Sequence, residues 1–264
     1  MRFREKHPNI NYRRFAHMLN DAKVAFVSES AVYRLLKDRN KLLPPPTINN
    51  GDTEREYRSK PLYVHHHWHT DIAYIKVDGV FYFLVMMLDG FSRYILGWDL
   101  LTDMTGESIE NFVLKIKEKH PHCTPMLITD NGSQYVSRDF KLLLDRLQIK
   151  HSRTRRNHPQ TNGKIERLNG TVKNEAIRPG CPMSYKEAFE SIDEFVFYYN
   201  NQRLHQGISF LRPADVFYGR GYAILRQRKE RISEAKKLRI VANSLAFQRQ
   251  KELKRTDDVS PAYH

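Results

Sequence analysis

Residues 69–101 read HTDIAYIKVDGVFYFLVMMLDGFSRYILGWDLL. His69 to Val77 reads as a strand, and Asp78-Gly79 is the dipeptide of a tight hairpin turn. Val80 to Leu88 is an unbroken apolar run, as expected of a strand covered on both faces. Ser92 to Leu101 reads as a third strand. Three strands joined by hairpins therefore open the main domain.

Downstream the period changes. Ser108 to His120 is amphipathic, with Ile109, Phe112, Val113 and Ile116 turned inward. Met126 to Thr129 is a short buried strand that stops at Asp130-Asn131-Gly132. Ser137 to Leu147 reads as a helix through Phe140, Leu143, Leu144 and Leu147, and Ile149 to Ser152 as a fifth strand. Hairpin strands followed by alternating helix and strand imply an α/β fold with a sheet of mixed direction.

The stretch NHPQTNGKIERLNGTVK (157–173) reads as a polar turn followed by a helix, with Thr161 or Asn162 as its cap. Ile165, Leu168, Val172 and Ala176 form its apolar face. Glu166, Gly170 and Lys173 share another face, about 115° round the axis. Ser184 to Asn201 is a further helix, opened by a capping box of Ser184 and Glu187. Its core face carries Ala188, Ile192, Phe195 and Tyr199.

The flanks differ from this middle. The chain of 264 residues has a net charge of +14. Residues 1–62 contribute +6 and 219–264 contribute +7, which leaves 63–218 nearly neutral. A basic excess in two arms points to a polyanion, with nucleic acid ahead of an anionic membrane. Tyr12, Phe15, Met18 and Leu19 make one helical stripe. A second helix, capped by Ser28 or Ser30, turns Val32, Leu35 and Leu36 inward and Arg34 and Lys37 outward. The pair fits a helix-turn-helix-like DNA-binding segment over 1–43. Residues 44–62 read as a linker, 63–218 as the main folded domain, of enzyme size, and 219–264 as a basic tail. Within that tail 222–250 is a long helix with a thin stripe of Ile224, Ile232, Ala235, Leu238, Ala242 and Leu245.

Two cysteines, Cys123 and Cys181, give neither a disulfide framework nor a four-ligand zinc pattern, and fit a reducing compartment. The apolar run 80–88 is too short to cross a bilayer, and no signal-peptide pattern opens the chain. A membrane partner is not expected.

Asp71 lies in the first strand, Asp130 at the end of the fourth and Glu166 on the helix after the fifth. Between them lie 58 and 35 residues. Two strand-borne carboxylates and one on a helix can converge and hold two Mg²⁺ ions through hard oxygens. Such a pair supports in-line displacement at phosphorus. Spacing alone is weak evidence in a middle region with 18 acidic residues.

The local sequence adds more. WHTDIAYI (68–75), LDGFSRYILGW (88–98), ITDNGSQY (128–135) and HPQTNGKIERLNGTVK (158–173) stand in this order. They resemble the motifs of DDE transposases of bacterial insertion sequences, in particular their second reading-frame products. The catalytic core of that family is shared with retroviral integrases. The resemblance implies a ribonuclease H-like fold, a five-stranded mixed sheet flanked by helices. It implies Asp71, Asp130 and Glu166 as catalytic and metal-binding residues, with two magnesium ions for which manganese substitutes. It implies Lys173 as the basic residue that meets DNA near the scissile end.

The implied activity is DNA cleavage at element ends followed by transfer of the 3′-hydroxyl strand into target DNA. The implied partners are those DNA ends and targets, with at least a dimer assembled on them. The implied location is the cytoplasm, at the nucleoid. Two alternatives stand beside this: a related nuclease that cuts without joining, and a non-catalytic DNA-binding protein derived from a transposase. The chain departs from retroviral members by carrying Gly170 where they have a basic residue, and by lacking the cysteines of their N-terminal zinc module.

Lys150, Arg153, Arg155, Arg156 and Lys164 surround the loop before Glu166, and Arg167 follows it. His158 and Gln160 lie in the same loop. Together they are candidate DNA contacts, against the ordinary alternative of a solvated charge run. Asp89 is read as structural rather than a ligand, because the hairpin register puts Met86 opposite Asp71. His65, His66, His67 and His69 look like a metal cluster, but alternation along an extended segment splits them between faces.

Overall fold

A computed structural model describes residues 2–44, 60–153 and 162–257. They form two compact units, one from 2–44 with 220–257 and one from 60–219.

In the first unit the four-residue α1 (Arg2–Glu5) precedes α2 (Tyr12–Asp21) and α3 (Glu29–Asp38). Each longer helix begins on a side-chain cap. Asn11 accepts from Arg13 N at 2.9 Å, and Ser28 from Ala31 N at 3.3 Å. Phe15, Ala16 and Leu19 of α2 close on Val32 and Leu36 of α3. Leu35 departs from the expected inward position and is 46% exposed. Val32 and Leu36, one turn apart, already fill the narrow seam between two short helices. Leu35 falls on the flank, along an apolar cavity of about 620 Å³. Arg34 and Lys37 are exposed.

The second unit is built on a sheet. β1 (His67–Val77) and β2 (Val80–Asp89) are antiparallel, and their turn residues Asp78 and Gly79 both take positive φ, 43° and 82°. That is the backbone a two-residue hairpin turn requires, and Asp-Gly adopts it readily. β3 (Ile95–Leu101) is antiparallel to β2. It starts later than the expected Ser92, because Ser92 is held in a turn by Asp89 and Arg93 takes φ 65°. α4 (Gly106–Lys119) leads to β4 (Met126–Thr129), which lies parallel to β1. α5 (Ser133–Val136) and α6 (Arg138–Arg146) lead to β5 (Lys150–Arg153), parallel to β4. The strand order is β3-β2-β1-β4-β5.

Alternation along β1 and β2 sends side chains to two cores. Ala73, Ile75, Val77, Leu84, Met86 and Leu88 pack under Ile165, Leu168 and Val172 of α7 (Gly163–Val172). Trp68, Val85 and Met87 pack on the other face, against Ile109 and Phe112 of α4 and Phe140 of α6. Both faces are thus covered, which is why β2 could read as a continuous apolar run.

α7 runs into a π turn, Lys173–Ile177, and the short α8 (Arg178–Gly180). Pro179 supplies a cause. It has no N–H, and its ring crowds the carbonyl four residues back, so the preceding turn widens. Ala176 remains buried through this change. α9 (Tyr185–Asn201) is capped by Ser184, which accepts from Glu187 N at 3.2 Å. The Glu187 carboxylate answers one residue earlier than a capping box expects, on Met183 N at 2.9 Å. Asn200 then ties α9 to the edge strand by bonds to both Ile95 N and Ile95 O. α10 (Pro213–Phe217) closes this unit.

α11 (Gly221–Asp257) belongs to the first unit. Arg228, buried, grips both oxygens of Asp21 at 2.8 and 2.6 Å. The stripe expected along this helix is part-buried at Ile224, Ile232 and Ala235. It is exposed at Leu238 and Leu245. Among the described residues no helix is long and apolar enough to cross a membrane.

Candidate active site

β1 and β4 run parallel with His69 beside Ile128. Two residues further along each chain stand Asp71, still within β1, and Asp130, just past the end of β4. Asp71 shares its face of the sheet with Ala73, Ile75 and Val77, the face that α7 covers. The buried stripe of α7 fixes that helix over β1, and two asparagines secure it. Asn162 donates from its amide to Thr70 O at 3.4 Å. Asn169 donates to Asp71 Oδ2 at 3.0 Å. Asn162 occupies the expected cap position, but its side chain makes no capping bond because it is spent on β1.

The carboxylates feel one another. Burial, then Asp130, then Glu166 push the Asp71 carboxyl up to about 6, against the Ile72 N–H and the Asn169 amide. Burial and Asp130 also raise Glu166. Asp130 Oδ1 accepts from Gly132 N at 3.0 Å. A side chain on Gly132 would meet Gln134 Oε1 at 2.9 Å and Asp130 Oδ1 at 3.2 Å, so glycine keeps this turn open. Three mutually repelling carboxylates with hard oxygen donors suit a divalent cation. They influence one another from a distance: among the described residues no three His, Cys, Asp or Glu side chains form a closed ligand set.

The candidate DNA contacts divide by place. Lys173 stands where α7 gives way to the π turn and is half-buried. Arg167 is exposed on α7. Arg153 is exposed and level with Thr129, the residue before Asp130. Lys150, also exposed, sits at the opposite end of β5, level with Met126. Lys164 turns onto the β2–β3 connection, donating to Gly90 O at 3.1 Å. Burial and the nearby Arg93 lower its ammonium to about 7, against Asp89. Arg155, Arg156, His158 and Gln160 lie outside the described residues. Arg34 and Lys37 belong to the other unit.

Asp89 is fully buried and accepts from His65 N at 2.7 Å, Ser92 N at 2.7 Å and Ser92 Oγ at 2.6 Å. The register pairs Asp71 with Met86. The rings of His66 and His67 stand 4.3 Å apart, but among the described residues the histidines form no three-ligand set. His67 and His69 share a buried face with ring centroids 6.4 Å apart. His65 accepts from Trp68 Nε1 and His66 from Leu62 N.

Asn169 was not among the residues singled out in the sequence. Its signal was a polar residue in an otherwise apolar stripe, four positions after Ile165 and three after Glu166. Its Oδ1 is buried with no partner among the described residues.

Two family models, both described as an integrase core domain, match residues 63–159 and 147–213. Together they cover more than half of the chain. The chain belongs to the integrase core family. This integrase core chain is 29% identical to the transposase for insertion sequence element IS904 of Lactococcus lactis, over 56% of this chain and 59% of that one. It is 27% identical to the InsK protein of insertion sequence element IS150 from Escherichia coli, over 56% of this chain and 53% of that one. The chain thus spans a little over half the length of the curated relatives it matches. A chain of the simian T-cell lymphotropic virus intasome in complex with PP2A regulatory subunit B56 gamma superposes with a TM-score of 0.54. It is 18% identical and covers 76% of this chain and 74% of that one. The fold is the expected ribonuclease H-like mixed sheet flanked by helices.

Proposed function

We propose that the chain is a DNA transposase that cuts at the ends of a mobile element and joins the freed 3′-hydroxyl to target DNA. The observation that supports this reading is the mutual electrostatic influence of Asp71, Asp130 and Glu166, three acids on separate elements of an integrase core. Those three residues would hold divalent metal, two magnesium ions for which manganese can substitute. Bound there, the metal would supply charge stabilisation to the phosphoryl oxygens and an activated oxygen nucleophile.

The chain's own groups do the positioning. Asn169 fixes one oxygen of Asp71, and the Gly132 N–H fixes one oxygen of Asp130. Arg167 on α7, Lys173 at the start of the π turn and Arg153 on β5 would offer cations to the DNA backbone. The segments 1–43 and 219–264 carry the basic excess and bind DNA outside the core. Residues 44–62 link the first of these to the catalytic core of 63–218. Strand joining brings two ends together, so at least two copies act on one DNA assembly, at the nucleoid.

A duplex carrying an end of the element, labelled on one strand, tests this in Mg²⁺. A shortened strand together with a joined product supports transposition. Shortening without joining means a nuclease, and binding without either means a non-catalytic DNA-binding protein.

A further inference from the structure

The near half of α11 is held to its own unit by polar bonds. Arg228 grips Asp21, Arg231 Nη1 donates to Asn20 O at 3.5 Å, and Arg239 Nη1 donates to Phe26 O at 3.0 Å. The far half is different. From Lys236 to Glu252 every residue is exposed. A helix of that length is marginal alone in water, and most helical stability comes from packing one face on a partner.

The exposed half still carries a stripe. Leu238, Val241 and Leu245 are each more than half exposed, and Ala242 is exposed beside them. By the 3.6-residue period these four fall within about 100° of arc. The same arc holds Glu234, one turn before Leu238, and Arg249, one turn after Leu245. Both are exposed. Ile240 and Phe247 fall on the opposite side of the helix. The result is a short apolar seam closed by an acid at one end and a base at the other. Apolar patches rimmed by polar groups mark interaction sites.

The opposite signs at the two ends select a partner. A parallel copy in register would set Glu234 against Glu234 and Arg249 against Arg249. An antiparallel copy that sets Leu238 against Leu245 sets Glu234 against Arg249, because each stands four residues further out. Two-fold symmetry then forms that ion pair twice, and Val241 and Ala242 meet at the axis. Charged pairs flanking an apolar seam are how helices choose partner and orientation. Lys236 and Lys251 lie on the far side, so pairing leaves that basic face outward. DNA would match the basic face and leave the apolar seam in water.

We propose that α11 pairs antiparallel with α11 of a second copy of this chain, through Leu238, Val241, Ala242 and Leu245, with a Glu234–Arg249 pair at each end. This gives a contact to the two-copy assembly proposed above and rests on that reading, but the pairing itself needs neither DNA nor metal.

Sedimentation equilibrium of the full chain without DNA tests it. Wild type is expected to dimerise as its concentration rises. Leu238→Glu and Leu245→Glu, both at exposed positions, should raise the dissociation constant about tenfold or more, since each would bury a charge in the seam. Ile240→Glu and Phe247→Glu, on the other side of the same helix, should leave it unchanged. Glu234→Arg should weaken the dimer about fivefold, through two lost pairs and the repulsion that replaces them. Adding Arg249→Glu to that chain should restore it. The two positions lie about 22 Å apart along one helix, so such a rescue passes only between copies. A monomer at every concentration overturns the proposal, as does a dimer that Leu238→Glu and Leu245→Glu leave intact. A double charge swap without rescue overturns it too. A monomeric wild type whose duplex affinity falls with Leu238→Glu makes the stripe a DNA surface instead. Cleavage of an end-bearing duplex is scored separately: a chain that dimerises in this way but never cuts keeps the pairing and loses the function proposed above.

Discussion

The amide of Asn169 donates to Oδ2 of Asp71 across 3.0 Å, from helix to strand. One polar atom of a buried face thus sets the rotamer of a carboxylate, and the seam of Ile165, Leu168 and Val172 sets the amide. Asn169→Ala removes the bond and leaves the seam. It should lower the cleavage rate at saturating DNA by about tenfold or more, since small misplacements at a reacting centre are costly. Stability should fall by only about 1 kcal/mol. Asn169→Asp should be worse, because a further carboxylate repels Asp71. Single-turnover cleavage and denaturant unfolding measure the two effects. Equal loss of rate and fold would make Asn169 merely structural.

Asp71 also dictates a pH dependence. Its carboxyl sits near 6 in the folded chain, above an ordinary value near 4. Between about pH 4 and pH 6 the folded state therefore holds more protons than the unfolded state, and stability falls as pH rises. Above 6 the penalty is complete, up to roughly 3 kcal/mol and less where water reaches the group. In metal-free buffer Asp71→Asn should be more stable than wild type at pH 7 and lose that advantage at pH 4 or below. Magnesium at pH 7 should stabilise wild type and not the variant. No difference between the two chains at pH 7 would mean that Asp71 bears no such charge penalty.

Asp89 is the contrasting acid. Asp89→Ala leaves the N–H of His65, the N–H of Ser92 and the Ser92 hydroxyl without their acceptor. Orphaned buried donors cost about 1–3 kcal/mol each, so a loss of about 3 kcal/mol or more is expected. The Mg²⁺ concentration for half-maximal cleavage should not move in whatever fraction stays folded. A large shift in that concentration would make Asp89 a ligand after all.

Arg34 and Lys37, exposed on α3, should act through phosphates. Replacing either with Gln should reduce the salt slope of duplex binding by about 0.9, with little dependence on sequence. Titrations across a range of salt concentrations would show it. An unchanged slope in the double variant would remove α3 from the DNA-binding surface.

Much of this architecture was legible because the relevant signals were local. Asp78-Gly79 fixed the hairpin register, and with it the pairing of Asp71 with Met86. The apolar stripe of α7 placed Glu166 beside the sheet. Signals failed where a side chain answered to a distant partner. Asn162 does occupy the cap position, but its side chain makes no capping bond because Thr70, remote in sequence, claims its amide. Leu35 looked like core, but two short helices offer a seam too narrow for it. The π turn depends on Pro179, beyond the helix as it was read.

The most direct measurement is Mg²⁺-dependent strand cleavage of an end-bearing duplex by wild type and by Asp71→Asn, Asp130→Asn and Glu166→Gln, with binding followed separately in Ca²⁺. The three acids are proposed to hold metal, and the basic excess lies in the arms. Each variant should therefore bind DNA nearly as wild type does and cut none of it. Near wild-type cleavage by any one of them would contradict the assignment of that residue, and cleavage by all three would remove the acidic triad from the chemistry.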